Sequence, residues 1–365
     1  MARLTRAQQQ DRTRAAVMAA ARVEFSQRGY VEAKVDRIAE RAELTRGAVY
    51  ANFPSKRAMY LAVQVDMVER RSIGVVPPLA TADALEAFAR VWLERLPLAG
   101  DASTVGHLHP HSLTGVFDDA PARAALAQIG RLEALLLARA LEADSPPRTP
   151  PARQVRLAEL VLTMLNGAAG LAETAPGFGD PFDVARACQH LAGLELTDVW
   201  DPPHLPFVSP ATPADDPWTP PAGLLDVLGS GPVDLGADGV IAALGTHRLG
   251  AAEEAVRASR PGELVTLVVV TRDPAEMGRL VRLRLSDIAW CLRQVFTRAS
   301  WAPLRLVVDE HAVIATALGV PDVSDATEAA VRIQDGTIVA TAIGRGAVHA
   351  AATAVGTARS PEPGR

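Results

Sequence analysis

The residues able to do chemistry are few and scattered along 365 positions. Two cysteines, Cys188 and Cys291, lie far apart with no CxxC, which excludes a zinc knuckle and a dithiol redox motif. They read as reduced, buried thiols, an oxidation sensor being the other use of such residues. His107, His109 and His111 alternate in GHLHPHS with neither cysteine nor carboxylate beside them, a spacing that suits a polar loop better than a metal site. No metal, no other cofactor and no catalytic residue is therefore expected. What remains is a small basic constellation: Thr45, Arg46, Gly47 and Ala48 open a short run that continues through Tyr50 and Asn52, with Lys56 close behind. A hydroxyl, a guanidinium and bare backbone at a helix N-terminus suit base edges and phosphates.

Apolar periodicity supplies the elements that would hold those residues. Residues 8–28 read as a helix that Gly29 ends, and residues 35–42 as a second. Glu43 and Leu44 make a short break before Thr45, which caps a third helix through Phe53; Ser55 caps a fourth from Lys56 through Arg70. Two short helices across a tight turn form the arrangement that inserts a recognition helix into a major groove. Phe25, Ile38, Ala39, Leu44, Val49 and Phe53 are the expected core beneath it. Charge agrees: the chain carries −5 overall, yet about 14 Arg and Lys against about 8 Asp and Glu fall within the first 71 residues. Arg3, Arg6, Arg12 and Arg14 add a basic arm for which phosphate contact and plain solvation are equal readings.

Downstream, residues 79–196 read as helical segments, closing with a pair at 154–171 and 183–196 in which Gly167, Ala168 and Gly170 permit close helix approach. Prolines crowd residues 200–221, the composition of a linker. Then the period changes: strand-like runs at 240–244, 264–270 and 304–308 alternate with helical ones at 249–258 and 287–298. A short helical stretch at 312–318 leads to a hairpin of 329–333 and 337–343 about Asp335-Gly336, and residues 347–354 close helically. The expected domains are 1–71, 72–199, the linker 200–221, an α/β unit at 222–356 and a disordered tail at 357–365.

The run FSQRGYVEAKVDRIAERAELTRGAVYANFPSKRAMYLAV resembles the N-terminal DNA-binding domain of the tetracycline-repressor (TetR) family over about the first 60 residues. That resemblance implies a recognition helix at 45–53, DNA contacts from Thr45, Arg46, Gly47, Ala48, Tyr50, Asn52 and Lys56, and phosphate positions at Tyr50 and Lys56. Arg46 is left as a base reader or a phosphate contact; Asn52 stands where the family often has histidine. The resemblance further implies a helical second domain that binds a small molecule and dimerises through its last two helices. The candidate pocket is Phe88, Trp92, Leu96, Phe117, Leu132, Leu136, Met164 and Leu165, apolar positions that a plain core explains equally; as a pocket they would take an apolar or aromatic effector. The last 140 or so residues resemble a thioredoxin-like or peroxiredoxin-like fold in element order. Its catalytic features are missing: GTHRLGAAEEAV after the first strand holds no cysteine, and Ala326-Thr327 stands where that fold has a cis-proline before threonine.

The expected fold class is thus mainly α, a helix-turn-helix domain plus a helical effector-binding and dimerisation domain, with a C-terminal α/β thioredoxin-like domain. The expected function is a ligand-released DNA-binding regulator, a repressor rather than an enzyme. Its partners would be a palindromic operator in duplex DNA, a second copy of the chain and a small-molecule effector. The alternative is a redox-related or partner-binding protein whose activity sits in the last domain. With no apolar run judged long enough for a bilayer and no export signal at residues 1–14, no membrane contact and a cytoplasmic location are expected.

Overall fold

The computed structural model describes residues 5–71, 79–96, 113, 115–143 and 153–354. His107, His109, His111 and Arg3 lie outside the described residues.

Among the described residues eight helices come first: α1 (Arg6–Glu32), α2 (Val35–Arg41), α3 (Arg46–Asn52), α4 (Lys56–Glu69), α5 (Thr81–Leu93), α6 (Ala120–Ala143), α7 (Val155–Thr174) and α8 (Pro181–Leu191). Gly29, expected to end α1, instead kinks it at φ 68°, a left-handed value that favours glycine. Phe25, Ile38, Ala39, Val49 and Phe53 are buried as expected, with Leu44 half-buried against them. The Phe25 ring meets that of Tyr60 edge to face at 5.0 Å, which fastens α1 to α4.

The α/β unit holds β1 (Thr212–Pro217), β2 (Leu225–Asp226), β3 (Gly231–Pro232), β4 (Gly239–Gly245), α9 (Ala252–Ala258), β5 (Val265–Val270), α10 (Arg279–Val295), β6 (Leu304–Val308), α11 (Val313–Ala317), β7 (Glu328–Gln334), β8 (Thr337–Ile343) and α12 (Ala347–Thr353). Its main sheet runs β1-β8-β7-β4-β5-β6; β4, β5 and β6 are parallel, and β7, β8 and β1 are joined antiparallel. The β7–β8 turn falls at Asp335 (φ 47°) and Gly336 (φ 68°), two consecutive left-handed residues as a tight two-residue hairpin requires.

Two expectations need correction. Part of the proline-rich stretch 200–221 is not a linker: Thr212–Pro217 is edge strand β1, because extended proline-rich backbone fits a sheet edge where few N–H groups must pair. Trp218 then anchors it, its ring N–H donating to the Leu235 carbonyl at 2.7 Å. The helix expected at 287–298 begins earlier, at Arg279, after a single π-helical turn at Pro274–Gly278.

One face of the sheet, through Val240, Leu267 and Leu306, shares a continuous apolar core with the helical region; the other packs on α11 and Trp218. The bridge is α10, which lies against α4, α5 and α6. At its centre Arg284 of α10 donates twice to Glu133 of α6, at 2.8 and 2.9 Å, both side chains buried. Losing one partner of such a pair costs about 3–5 kcal/mol, because the other charge is left unpaired out of water.

α7 is long and apolar enough to cross a membrane by length and composition, contrary to the expectation that no such run exists. Its Val155, Leu157, Val161, Leu162 and Leu165 are nevertheless buried in the helical core, while Leu160 and Leu171 are uncovered in the single chain.

Candidate nucleic-acid interface

Glu43, at φ 56°, turns the chain between α2 and α3. Thr45 has extended backbone and its hydroxyl accepts from the Ala48 N–H at 3.2 Å, so α3 starts where the sequence places it. Val49 is its one buried residue and Phe53 seals its end. The opposite face is open: Thr45, Arg46, Gly47 and Tyr50 are exposed and Ala48 is half-buried. These five form one continuous surface at the N-terminal half of the helix.

Arg46 is held but free of burial. Its guanidinium lies over the Tyr50 ring at 5.6 Å and meets Asp36 at 3.2 Å, with 60% of the side chain exposed. Exposed pairs of this kind are worth little and break readily when a better acceptor arrives. Asn52 is turned inward: its side-chain amide donates to the Ala48 carbonyl at 2.9 Å, and its own carbonyl accepts from Arg14 at 3.3 Å. Arg14 therefore braces the end of α3 and stacks over Phe53 at 4.5 Å.

Lys56 has work inside the domain. Its ammonium donates to the carbonyls of Val31 and Ala33, both at 3.1 Å, and sits 4.6 Å from the Tyr30 ring centre. Partial burial lowers its pKa, with Glu32 acting in the opposite sense. It ties the start of α4 to the link between α1 and α2.

Sequence reasoning missed what lies beside this surface. Ser55 caps α4 and also donates to Glu276 of the π-helical turn, which accepts from Arg57 as well. Arg57 reaches Asp119 at 2.9 Å besides. Further along α4, Arg279 donates to the Ala58 carbonyl at 2.8 Å, Arg282 meets Glu69 at 2.6 Å, and Arg71 meets buried Asp287 at 3.2 Å. The only trace in the sequence is the spacing of Glu276, Arg279 and Arg282, which marks one helical face without naming what it touches.

The other candidate positions fall in the interior. Phe88, Trp92, Phe117, Leu132, Leu136 and Leu165 are buried in the helical core, and Leu96 and Met164 pack at its edge. Cys188 and Cys291 are both fully buried; burial pushes the Cys188 thiol up to about 11 and, as the largest of several influences, the Cys291 thiol up to about 12. Beyond the end of β4, Thr246 and Thr271 both donate to Asp325, at 2.8 and 2.7 Å, and Arg248 pairs with Glu328 at 2.9 Å.

Residues 17–63 match the family model TetR_N, described as bacterial regulatory proteins of the tetR family. No curated protein matches the chain. The matched span starts inside α1 and ends inside α4, so it encloses the whole turn and the exposed face of α3. The chain thus carries a TetR-type helix-turn-helix DNA-binding domain, and this supports a TetR-family DNA-binding transcription regulator.

Proposed function

We propose that the protein is a homodimeric repressor that reads a pseudo-palindromic operator with α3 and is released by a small apolar or aromatic molecule. The observation that carries this is the exposed face of Thr45, Arg46, Gly47, Ala48 and Tyr50 on a helix fixed from behind by Val49 and Phe53. Tyr50 and Lys56 are its phosphate contacts, and Asn52 serves by holding the helix. The cytoplasm is its place of action.

Dimerisation is supported by the uncovered apolar side chains of the α7–α8 region: Leu160, Leu171, Phe178 and Phe182 are 41%, 41%, 73% and 70% exposed. A second copy related by a twofold axis would cover them, a simpler use of this surface than a membrane. The helical core around Phe88 and Trp92 is the proposed effector region. The α/β unit is proposed as a thioredoxin-like module without catalysis, the absence of thiol chemistry being supported by its buried Cys291 and by the hydrogen-bonded closure at Asp325.

Fluorescence anisotropy with a random-sequence duplex tests DNA binding directly. Affinity should fall steeply as salt rises, and Lys56→Ala should reduce the log–log slope by about 0.9, the share of one phosphate contact. A lower melting temperature with an unchanged slope would confine Lys56 to its carbonyls. Absence of any salt-sensitive binding would defeat the regulator reading.

A further inference from the structure

Between the C-terminal end of α4 and the α/β unit lies a cleft of about 480 Å³, large enough for a small organic molecule. Its floor is α10, and its far wall is formed by the β2 segment and the end of β6. Apolar surface is offered by Val68, Leu224, Leu225 and Val308, of which Leu225 is 57% exposed although it is a plain aliphatic residue.

The charges around this surface are unequally satisfied. Asp226 accepts three backbone N–H groups, from Leu228, Gly229 and Leu306, at 3.1, 3.0 and 3.0 Å. Glu69 and Glu310 share Arg282, at 2.6 and 3.0 Å. Arg293 makes no ion pair among the described residues, although the Asp226 carboxylate acts on it electrostatically: one terminal nitrogen donates to the Val227 and Leu228 carbonyls at 2.7 and 3.2 Å, and its buried Nε has no acceptor. Burial, the largest influence, lowers the pKa of Arg293, with the Asp226 carboxylate acting in the opposite sense.

We infer that this cleft binds an organic monocarboxylate, its apolar body against Leu224, Leu225, Val68 and Val308 and its carboxylate on Arg293, whose buried Nε has no acceptor. A planar carboxylate matches a guanidinium fork, and an aliphatic or aromatic body fits what Leu225 leaves uncovered. The consequence for DNA rests on the regulator reading, because Val68 and Glu69 of α4 wall the same cleft. A ligand lodged between α4 and α10 changes the contact between α10 and the helix that carries the DNA-binding head.

Calorimetric titration of the purified full chain, without DNA, tests the site with decanoate and 2-naphthoate as probes and decylamine as the matched cation. At least one acid should saturate a single site per chain, and decylamine should not compete. Leu225→Asp and Arg293→Gln should each weaken binding by tenfold or more. Leu225 is exposed, so its variant keeps the fold and decides the matter alone if Arg293→Gln, deprived of two carbonyl contacts, unfolds. Saturation by neither acid, equal binding of the amine, or unchanged affinity in Leu225→Asp overturns the site. A saturating acid that shifts duplex affinity by less than threefold overturns its coupling to α4. Failure of the protein to bind any duplex would strike the regulator reading and leave the titration result standing.

Discussion

At residue scale, Arg46 combines exposure with a weak, exchangeable hold. Its stacking on Tyr50 points the guanidinium along the open face of α3, and its pairing with Asp36 can be traded for a guanine edge or a phosphate. Arg46→Ala should therefore relax preference at one operator base pair, at a cost of about 1–3 kcal/mol there, with a smaller loss of non-specific affinity. Competition between a selected duplex and single-base variants measures this; an intact preference would make Arg46 a phosphate contact only. The types and spacing of Thr45, Arg46 and Gly47 were legible in the sequence because a helix start obeys local rules. The inward roles of Asn52 and Lys56 were not, since their partners are backbone carbonyls whose positions only the folded domain sets.

Among the elements, α4 has two masters. It belongs to the head through Tyr60 and Phe25, and it is gripped along its length by α10 and the turn before it. Glu276 places a carboxylate against Ser55 and Arg57, next to Lys56, at the end of α4 proposed to meet phosphate. Removing that negative charge leaves Arg57 with Asp119 as its carboxylate partner and reduces repulsion of the DNA backbone. Glu276→Gln should accordingly raise affinity for random-sequence duplex several-fold at low salt, an effect that fades as salt rises. Anisotropy across a salt series reads it, and a fall in affinity would show that Glu276 instead holds the head in its binding pose. The alternation of strands and helices after residue 239 was legible because buried parallel strands are β-branched and short. Edge strand β1 was hidden, since proline masks strand character wherever the backbone has few N–H groups to give.

For the whole molecule, the helical and α/β parts share one apolar core and are pinned by the buried Arg284–Glu133 pair, so the C-terminal unit is built into the chain rather than trailing from it. No local pattern could reveal this, because α10 reads equally as a helix covering its own sheet. In the proposed dimer the uncovered side chains near α7 and α8 form the interface. Leu160→Glu with Phe182→Glu should convert the assembly to monomers in sedimentation equilibrium while leaving the circular dichroism of the chain unchanged. Monomer in the unsubstituted protein would remove the twofold operator from consideration.

The most direct measurement is selection of bound sequences from random duplex DNA by the purified full chain, with the mass of the selected complex determined in solution. The expected result is enrichment of a palindrome whose half-sites lie about one helical turn apart, occupied by two chains and lost in Arg46→Ala. Recovery of sequences with no common element, or of a single unrepeated site bound by one chain, would contradict the assignment of α3 as the recognition helix of a dimeric regulator.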